Sequence, residues 1–242
     1  MSIRLDQGSS STAKSTGRPK TNNTAGTLGD CAPAALQEFD VVVTGRRRFH
    51  EQIKRIFDII LSTTLLILFS PFLVLAAVAI KLTSPGPVFF SQIRAGLGNK
   101  RFRMLKLRSM RSAEVVEPKP GDVFIKVEND PRLTLVGRII RKTSIDELPQ
   151  LINVFFGEMS LIGPRPLIPA HLLVLEPTDE QFRARMKPGL TGLWQLRDRE
   201  HASSALSMIS HDREYIEQFS LWLDLKILLK TIPAVLSCRG AK

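Results

Sequence analysis

The sequence predicts an α/β, mainly helical domain tied to a membrane by one apolar segment, and three observations carry that prediction. Ile59 to Ile80 is a run of twenty-two residues without a charge, long enough as a helix to match about 30 Å of hydrocarbon at roughly 1.5 Å per residue. Both flanks of the run are basic. Beyond it, short extended stretches alternate with helical periodicities between Pro- and Gly-rich turns, the pattern of a folded α/β unit.

In chain order, residues 1–45 read as a disordered polar tail. Its first thirty residues are dominated by Gly, Ser, Thr, Asn and Pro, and no aromatic precedes Phe39, so too little surface is buried to offset the ordering entropy. Phe39 to Val43 is a short strand expected near its end. The tail lacks the continuous apolar region of a secretory signal.

Residues 46–82 comprise a basic flank and the apolar segment. Arg46, Arg47, Arg48, Lys54 and Arg55 precede the run, and from Lys81 to Arg111 the chain carries eight cations and no acid. Both flanks therefore favour the cytoplasmic side of a membrane. Midway, Ser70-Pro71 removes a backbone donor and predicts a kink or break. The freed carbonyl then needs a partner such as the Ser70 hydroxyl, because lipid supplies none. A re-entrant helix that enters and leaves by one face reconciles these features; a single span and a buried core helix are the alternatives.

Residues 83–242 read as the folded domain, with turns at Ser84-Pro85-Gly86-Pro87, Pro118-Lys119-Pro120-Gly121, Asn129-Asp130-Pro131 and Gly163-Pro164-Arg165-Pro166. Val88 to Phe90 and Phe102 to Leu107 are expected strands. Leu135, Val136, Ile139 and Ile140 give Leu133 to Arg141 a helical rhythm. A second helix is expected to start between Ser144 and Asp146 and to run to Phe156, where Gly157 stops it. Tyr215 to Leu236 suits one long amphipathic helix, lying in a membrane interface or packed on the core.

Lys and Arg total 34 against 23 Asp and Glu, a net charge of +11. Such an excess calls for an anionic partner: nucleic acid, an anionic membrane or a phosphorylated substrate. The basic residues crowd around the apolar run and are not interleaved with stacking aromatics, which argues against nucleic acid. Cys31 and Cys238 are too far apart to encode a disulfide framework, and the four histidines have no metal-ligand spacing. GxGxxG, GxxxxGK[ST] and GxSxG are all missing, so dinucleotide, P-loop and hydrolase chemistry lack a local signature.

Four constellations remain as candidates for chemistry. Arg141-Lys142-Thr143-Ser144-Ile145-Asp146-Glu147-Leu148-Pro149 puts two adjacent carboxylates just after two cations. Helix capping by Asp146, or by Ser144 with Glu147, explains it without chemistry; a nucleophilic or metal-binding carboxylate beside phosphate-holding cations explains it with chemistry. Neighbouring side chains on a helix diverge by about 100°, so the two acids would have different tasks. Gly163-Pro164-Arg165-Pro166 fixes the backbone on both sides of one guanidinium, suited to bidentate phosphate recognition. The basic run Arg94 to Arg111 includes Lys106 and Arg108 and is either a solvated face or a site for anionic headgroups. Lys187 to Gln195 is a Gly-rich turn that approaches a ligand or simply turns.

The order of these motifs is more informative than any one of them. Lys54-Arg55-Ile56-Phe57-Asp58, Ser70-Pro71, Ser84-Pro85-Gly86-Pro87-Val88-Phe89-Phe90-Ser91-Gln92 with Arg94 and Gly96, Lys106-Leu107-Arg108-Ser109-Met110, Asp130-Pro131-Arg132, Ser144 to Gln150, Gly157-Glu158-Met159-Ser160 and Gly163-Pro164-Arg165-Pro166-Leu167 occur in series. From about Phe49 to Leu236 the chain resembles the bacterial sugar transferase family, small monotopic polyprenyl-phosphate phosphoglycosyl transferases of exopolysaccharide, capsule and glycan assembly.

That resemblance implies a re-entrant membrane helix hairpin hinged at Ser70 and Pro71, with amphipathic interfacial helices holding a cytoplasmic α/β catalytic domain to the inner membrane. It implies the absence of the N-terminal multi-span region of larger members. It implies the reaction of a UDP-sugar with polyprenyl (undecaprenyl) phosphate to give polyprenyl-diphosphate-sugar and UMP, with Mg²⁺. By position, Asp146 corresponds to the nucleophile, Glu147 to the metal-holding partner, and Lys106, Arg141 and Arg165 to phosphate-binding cations. Residues 112–128 carry no assigned role. The competing reading is a non-catalytic membrane-surface scaffold that binds anionic lipids.

Overall fold

The computed structural model describes residues 45–111, 132–173, 175–197 and 205–237. The polar tail, the strand expected at Phe39 to Val43 and the 112–128 segment lie outside them. Helix α1 (Gly45–Thr83) is one element of 39 residues with Pro71 inside it, where the sequence predicts a kink or break. Pro71 cannot donate to the Ile67 carbonyl four residues back. The Ser70 hydroxyl takes that carbonyl instead, at 2.8 Å, and the helix continues. About two turns earlier the hydroxyls of Ser62 and Thr63 both donate to Ile59 O, and Thr64 donates to Ile60 O, back-bonds that bend helices.

Both halves of α1 pack on the same body. Leu61, Leu65 and Leu66 pack against the main core, while Leu73, Ala76 and Ile80 join a second cluster with Leu107 and Ile140. The other side of α1 is bare: Ile60, Ile67, Leu68, Phe72, Val74 and Leu75 are exposed. By length and composition this helix could cross a membrane.

Strands β1 (Phe89–Ala95) and β2 (Arg101–Leu107) pair antiparallel, Phe89 opposite Leu107 and Arg94 opposite Phe102. The first strand extends well past the expected Phe90, because the tight turn comes only at Gly98 and Asn99, both left-handed. On the far edge of β2, the Asn153 side chain accepts from Leu105 N at 3.0 Å and donates to Arg103 O at 2.8 Å. One amide thus takes the place of a third strand.

Helix α2 (Leu135–Lys142) starts at Thr134, whose hydroxyl accepts from Gly137 N, an N-cap bond. Next come a 3-10 turn, Ile145–Glu147, and helix α3 (Gln150–Phe156). The sequence predicts one helix from Ser144 or Asp146; the structure divides it. Ser144 sits in the left-handed region at φ 58°, and Pro149 occupies the cap of α3. Gly157, left-handed at φ 83°, ends α3 as expected.

Strands β3 (Ser160–Ile162) and β4 (Gly189–Thr191) pair in parallel. Around them lie α4 (Pro169–Leu172), α5 (Pro177–Arg183), α6 (Leu193–Arg197), α7 (Ala205–Glu217) and α8 (Leu221–Leu236). The single C-terminal helix expected from Tyr215 is therefore two. Ser220, extended and accepting from Leu223 N, caps α8 and ends the continuity. One face of α8 enters the core through Ile227 and Leu223. Trp222, Leu225, Leu229 and Ile232 form a second, exposed apolar stripe.

The main core gathers Phe102, Met104, Leu151, Val154, Met159, Leu161, Ile162, Met186, Leu193, Tyr215, Ile216 and Ile227. Gly137 is a tight point in this architecture. A Cβ there would lie 1.8 Å from Ser109 O, so Gly137→Ala must push α2 off the end of β2. The substitution is expected to cost about 2 kcal/mol or more, read as a lowered thermal unfolding midpoint. An unchanged midpoint would refute the close approach.

Candidate active site

The two carboxylates come from the 3-10 turn between α2 and α3. Neither Ser144, before the turn, nor Pro149, before α3, makes a side-chain cap bond. Asp146 is buried, 6% exposed. Glu147 lines an open cleft, where its Oε1 accepts from Lys106 Nζ of β2 at 2.8 Å. Arg94, Gln150, Arg165 and Gln195 also line this cleft. Cations from β1, β2 and the Gly163-Pro164-Arg165-Pro166 loop therefore face one acid from the turn.

Burial pushes Asp146 up to about 6, the Glu147 charge adds to the rise, and Lys106 and Arg141 oppose it. Arg141 stands beside Asp146 electrostatically but does not line the cleft. Its Nε donates to Ser109 Oγ at 3.0 Å, which turns the guanidinium toward the end of β2. Of the residues singled out from the sequence, the structure brings Lys106, Glu147 and Arg165 into the cleft, with Asp146 next to Glu147 in the turn and Arg141 outside the lining. Ser70 and Pro71 stay on α1.

The sequence places Arg94 in a basic run and in the ordered motif series, with no role of its own, and the structure makes it more specific. Its Nη1 donates to Pro166 O at 3.0 Å and its Nη2 to Gln92 Oε1 at 2.6 Å. Burial first and the neighbouring Arg165 charge second lower it to about 9, with Glu147 opposing. Two close guanidiniums with one shared acid leave a local positive excess, the electrostatics of an anion site. A strand period through Phe90, Gln92 and Arg94 is the signal that could have placed Arg94 on the cleft face. Arg108, in contrast, is spent on the fold. It donates to Pro85 O, Ser84 O and Ser84 Oγ, and its guanidinium fills the space a Cβ on Gly86 would need.

The Gly-rich turn at Lys187 to Gln195 serves backbone packing. Cβ atoms added at Gly163 and Gly189 would meet the opposing backbone at 2.5 Å and 2.1 Å, so these two glycines let β3 and β4 join beside the cleft. Arg165 leaves this junction over the Trp194 ring, 5.0 Å from its centroid. Arg183 and Asp212, neither of them singled out from the sequence, pair with each other beneath the same loop.

Among known proteins, the sequence profile described as Bacterial sugar transferase matches residues 49–238. A UDP-glucose:undecaprenyl-phosphate glucose-1-phosphate transferase of Caulobacter vibrioides is 45% identical over 194 residues, 78% of this chain and 71% of that protein. Exopolysaccharide production protein ExoY of Rhizobium meliloti is 40% identical over 199 residues, 78% of this chain and 87% of that protein. A UDP-N-acetylgalactosamine-undecaprenyl-phosphate N-acetylgalactosaminephosphotransferase of Aeromonas hydrophila is 43% identical across 78% of this chain, a match that spans 45% of the longer relative. With the profile running from α1 to the end of α8 over a cleft that joins paired carboxylates to phosphate-type cations, the chain belongs to the bacterial sugar transferase family.

Proposed function

We propose that this phosphoglycosyl transferase moves a sugar 1-phosphate from a UDP-sugar to polyprenyl phosphate, undecaprenyl phosphate in the relatives named above, through an aspartyl intermediate on Asp146. The observation that carries the reading is the buried Asp146 carboxylate next to Glu147, which lines a cleft walled by Arg94, Lys106 and Arg165. Asp146 Oδ attacks the sugar-bearing phosphorus; the P–O bond to UMP breaks and UMP leaves with that electron pair. A phosphate oxygen of the lipid then attacks the same phosphorus, the acyl-phosphate bond breaks, and the Asp146 carboxylate returns. Donor and acceptor are both anions, and dividing their encounter into two displacements keeps them from meeting unscreened.

The cations offset the phosphate charges during both displacements. Arg165, held over Trp194, presents a fork suited to a diphosphate. Lys106 holds Glu147 in the cleft and keeps a positive charge near Asp146. Among the described residues no three His, Cys, Asp or Glu side chains form a metal cluster, and the carboxylate oxygens at the cleft are those of Glu147, with Asp146 beside it in the turn. Mg²⁺ fits that donor set, since it binds one or two carboxylates and completes its shell with water and substrate phosphates. Bound there by Glu147, it would neutralise diphosphate charge.

A membrane seat at the cytoplasmic face follows from the same reading. Support comes from both arms of α1: Lys54, Arg55 and Asp58, just before the apolar run, and Ala76 and Ile80, in its last turns, touch the same domain. A helix crossing about 30 Å of hydrocarbon would carry its two ends to opposite faces; a re-entrant helix bent at Ser70 and Pro71 without a break would keep both on one. The bare stripe of α8, beside α1 through the Lys54–Asp224 pair, supplies interfacial apolar surface.

The test is UMP release by detergent-purified protein from a panel of UDP-sugars with Mg²⁺, with and without undecaprenyl phosphate. Acceptor-dependent release supports the reading, and mass spectrometry of an Asp146 peptide carrying the phosphosugar tests the intermediate. Silence from folded protein across the panel would favour the lipid-binding scaffold. Because Asp146 must react as the carboxylate, kcat/KM is expected to fall about tenfold per pH unit below about 6. A profile flat down to pH 5 would contradict the assignment.

A further inference from the structure

We propose that Arg183 and Asp212 are positioning residues for this transfer: a buried ion pair that grips the Arg165 peptide and so aims the Arg165 guanidinium into the cleft. The inference rests on the functional reading above. Arg183 is the last residue of α5 and Asp212 lies on α7, 9% and 2% exposed respectively. Arg183 Nη1 pairs with Asp212 Oδ2, and its Nη2 donates to Arg165 O at 2.5 Å. The Arg165 N–H donates to the Asp212 carboxylate. Both polar groups of this one residue's backbone are thereby taken by the pair.

Its neighbours have equally little freedom. Pro164 and Pro166 have fixed φ and no N–H, and Pro166 O is held by Arg94. The side chain is left to lie over Trp194. Trp194 itself packs with Leu167 and Met208, and Met208 stands one helical turn before Asp212 on α7. One helix therefore supports the backbone of Arg165 through Asp212 and the surface under its side chain through Met208. A buried ion pair is a weak stabiliser compared with an apolar pair of the same shape, so its consequence here is the direction of the residue it holds.

The chain has two tryptophans, Trp194 and Trp222. In full-length protein carrying Trp222→Phe, acrylamide quenching of the remaining emission reads how well the guanidinium covers Trp194. Asp212→Asn and, separately, Arg183→Lys are expected to raise the quenching constant about twofold. They should also raise the KM for the UDP-sugar about tenfold, with kcat changed less than about threefold. Combined with Arg165→Ala, which uncovers the ring by itself, each should add less than about 1.3-fold to quenching.

Equal effects with and without Arg165 would overturn the proposal, since the pair would then act on stability alone. An unchanged quenching constant in both single variants would overturn it too. Should Asp212→Asn fail to fold, Arg183→Lys carries the same comparison. A parent protein that releases no UMP sinks the transfer reading separately, and the quenching pattern still decides whether the pair aims Arg165.

Discussion

Asp146→Asn is expected to reduce UMP release by more than about 10³-fold and, in the same protein, to raise stability at neutral pH. The two effects share one cause. Burial and the Glu147 charge lift the Asp146 carboxyl from its ordinary value to about 6, so the folded chain binds that proton more tightly than the unfolded chain. Stability contributed by this group is therefore full below about pH 4 and is lost as pH rises toward 6. Above 6 the folded protein keeps an unfavourable buried charge. An uncharged amide of the same shape removes that cost, a gain of roughly 1 to 3 kcal/mol near pH 7.5. The checks are turnover with UDP-sugar and lipid acceptor, and thermal unfolding at pH 7.5 and 5. Retained turnover would sink the nucleophile assignment, and an unchanged midpoint at pH 7.5 would refute the strained burial of the charge.

Asp224→Ala is expected to be the most damaging single change to stability. Asp224 Oδ2 accepts from Lys54 Nζ at 2.6 Å and its Oδ1 from the Tyr215 hydroxyl at 2.7 Å. Both donors are buried, Tyr215 at 1% exposure. Removing the carboxylate leaves an ammonium enclosed without its counter-charge, a loss of about 3 to 5 kcal/mol. Against total domain stabilities of about 5 to 15 kcal/mol, that is enough to unfold a marginal protein. The double variant Lys54→Met with Asp224→Leu removes both charges and should recover most of the loss, because an apolar pair needs no partner. Unfolding midpoints of the single and double variants in detergent decide this. A single-variant loss under about 1 kcal/mol, or a double no better than the single, would contradict the buried latch.

Much of this fold could be read from local pattern, and the parts that could not are long-range. The apolar run, the strand from Phe102 to Leu107, α2 and the stop at Gly157 all follow from residues close to one another in sequence. The division at Ser144 to Pro149 did not. A left-handed Ser144 is set by the tertiary position of the turn, which overrides the capping pattern that Ser144 and Glu147 spell out. Likewise Ser220 is an ordinary serine until its hydroxyl is seen capping Leu223 N.

In the site, Glu147 stood out beside Asp146 and Arg165 between two prolines, Lys106 only within a basic run; the serial order of motifs gave them roles by resemblance, and the structure brings all three to one cleft. Arg94 was visible as charge and as one member of that series, with no role of its own. Its enclosure depends on Pro166, 72 positions away. Arg183 and Asp212 carry no local signature, since what they hold is the backbone of a residue in another segment.

The amide of Asn153 along β2 has a further consequence for a protein that works at a surface. Confinement to two dimensions raises local concentration far above that in solution, and an open strand edge under such crowding is a template for pairing between molecules. Here the exposed hydrogen-bonding positions of that edge, Arg103 O and Leu105 N, are already occupied from within the chain. A third strand from a neighbouring molecule is thereby kept from pairing with β2 at these two positions.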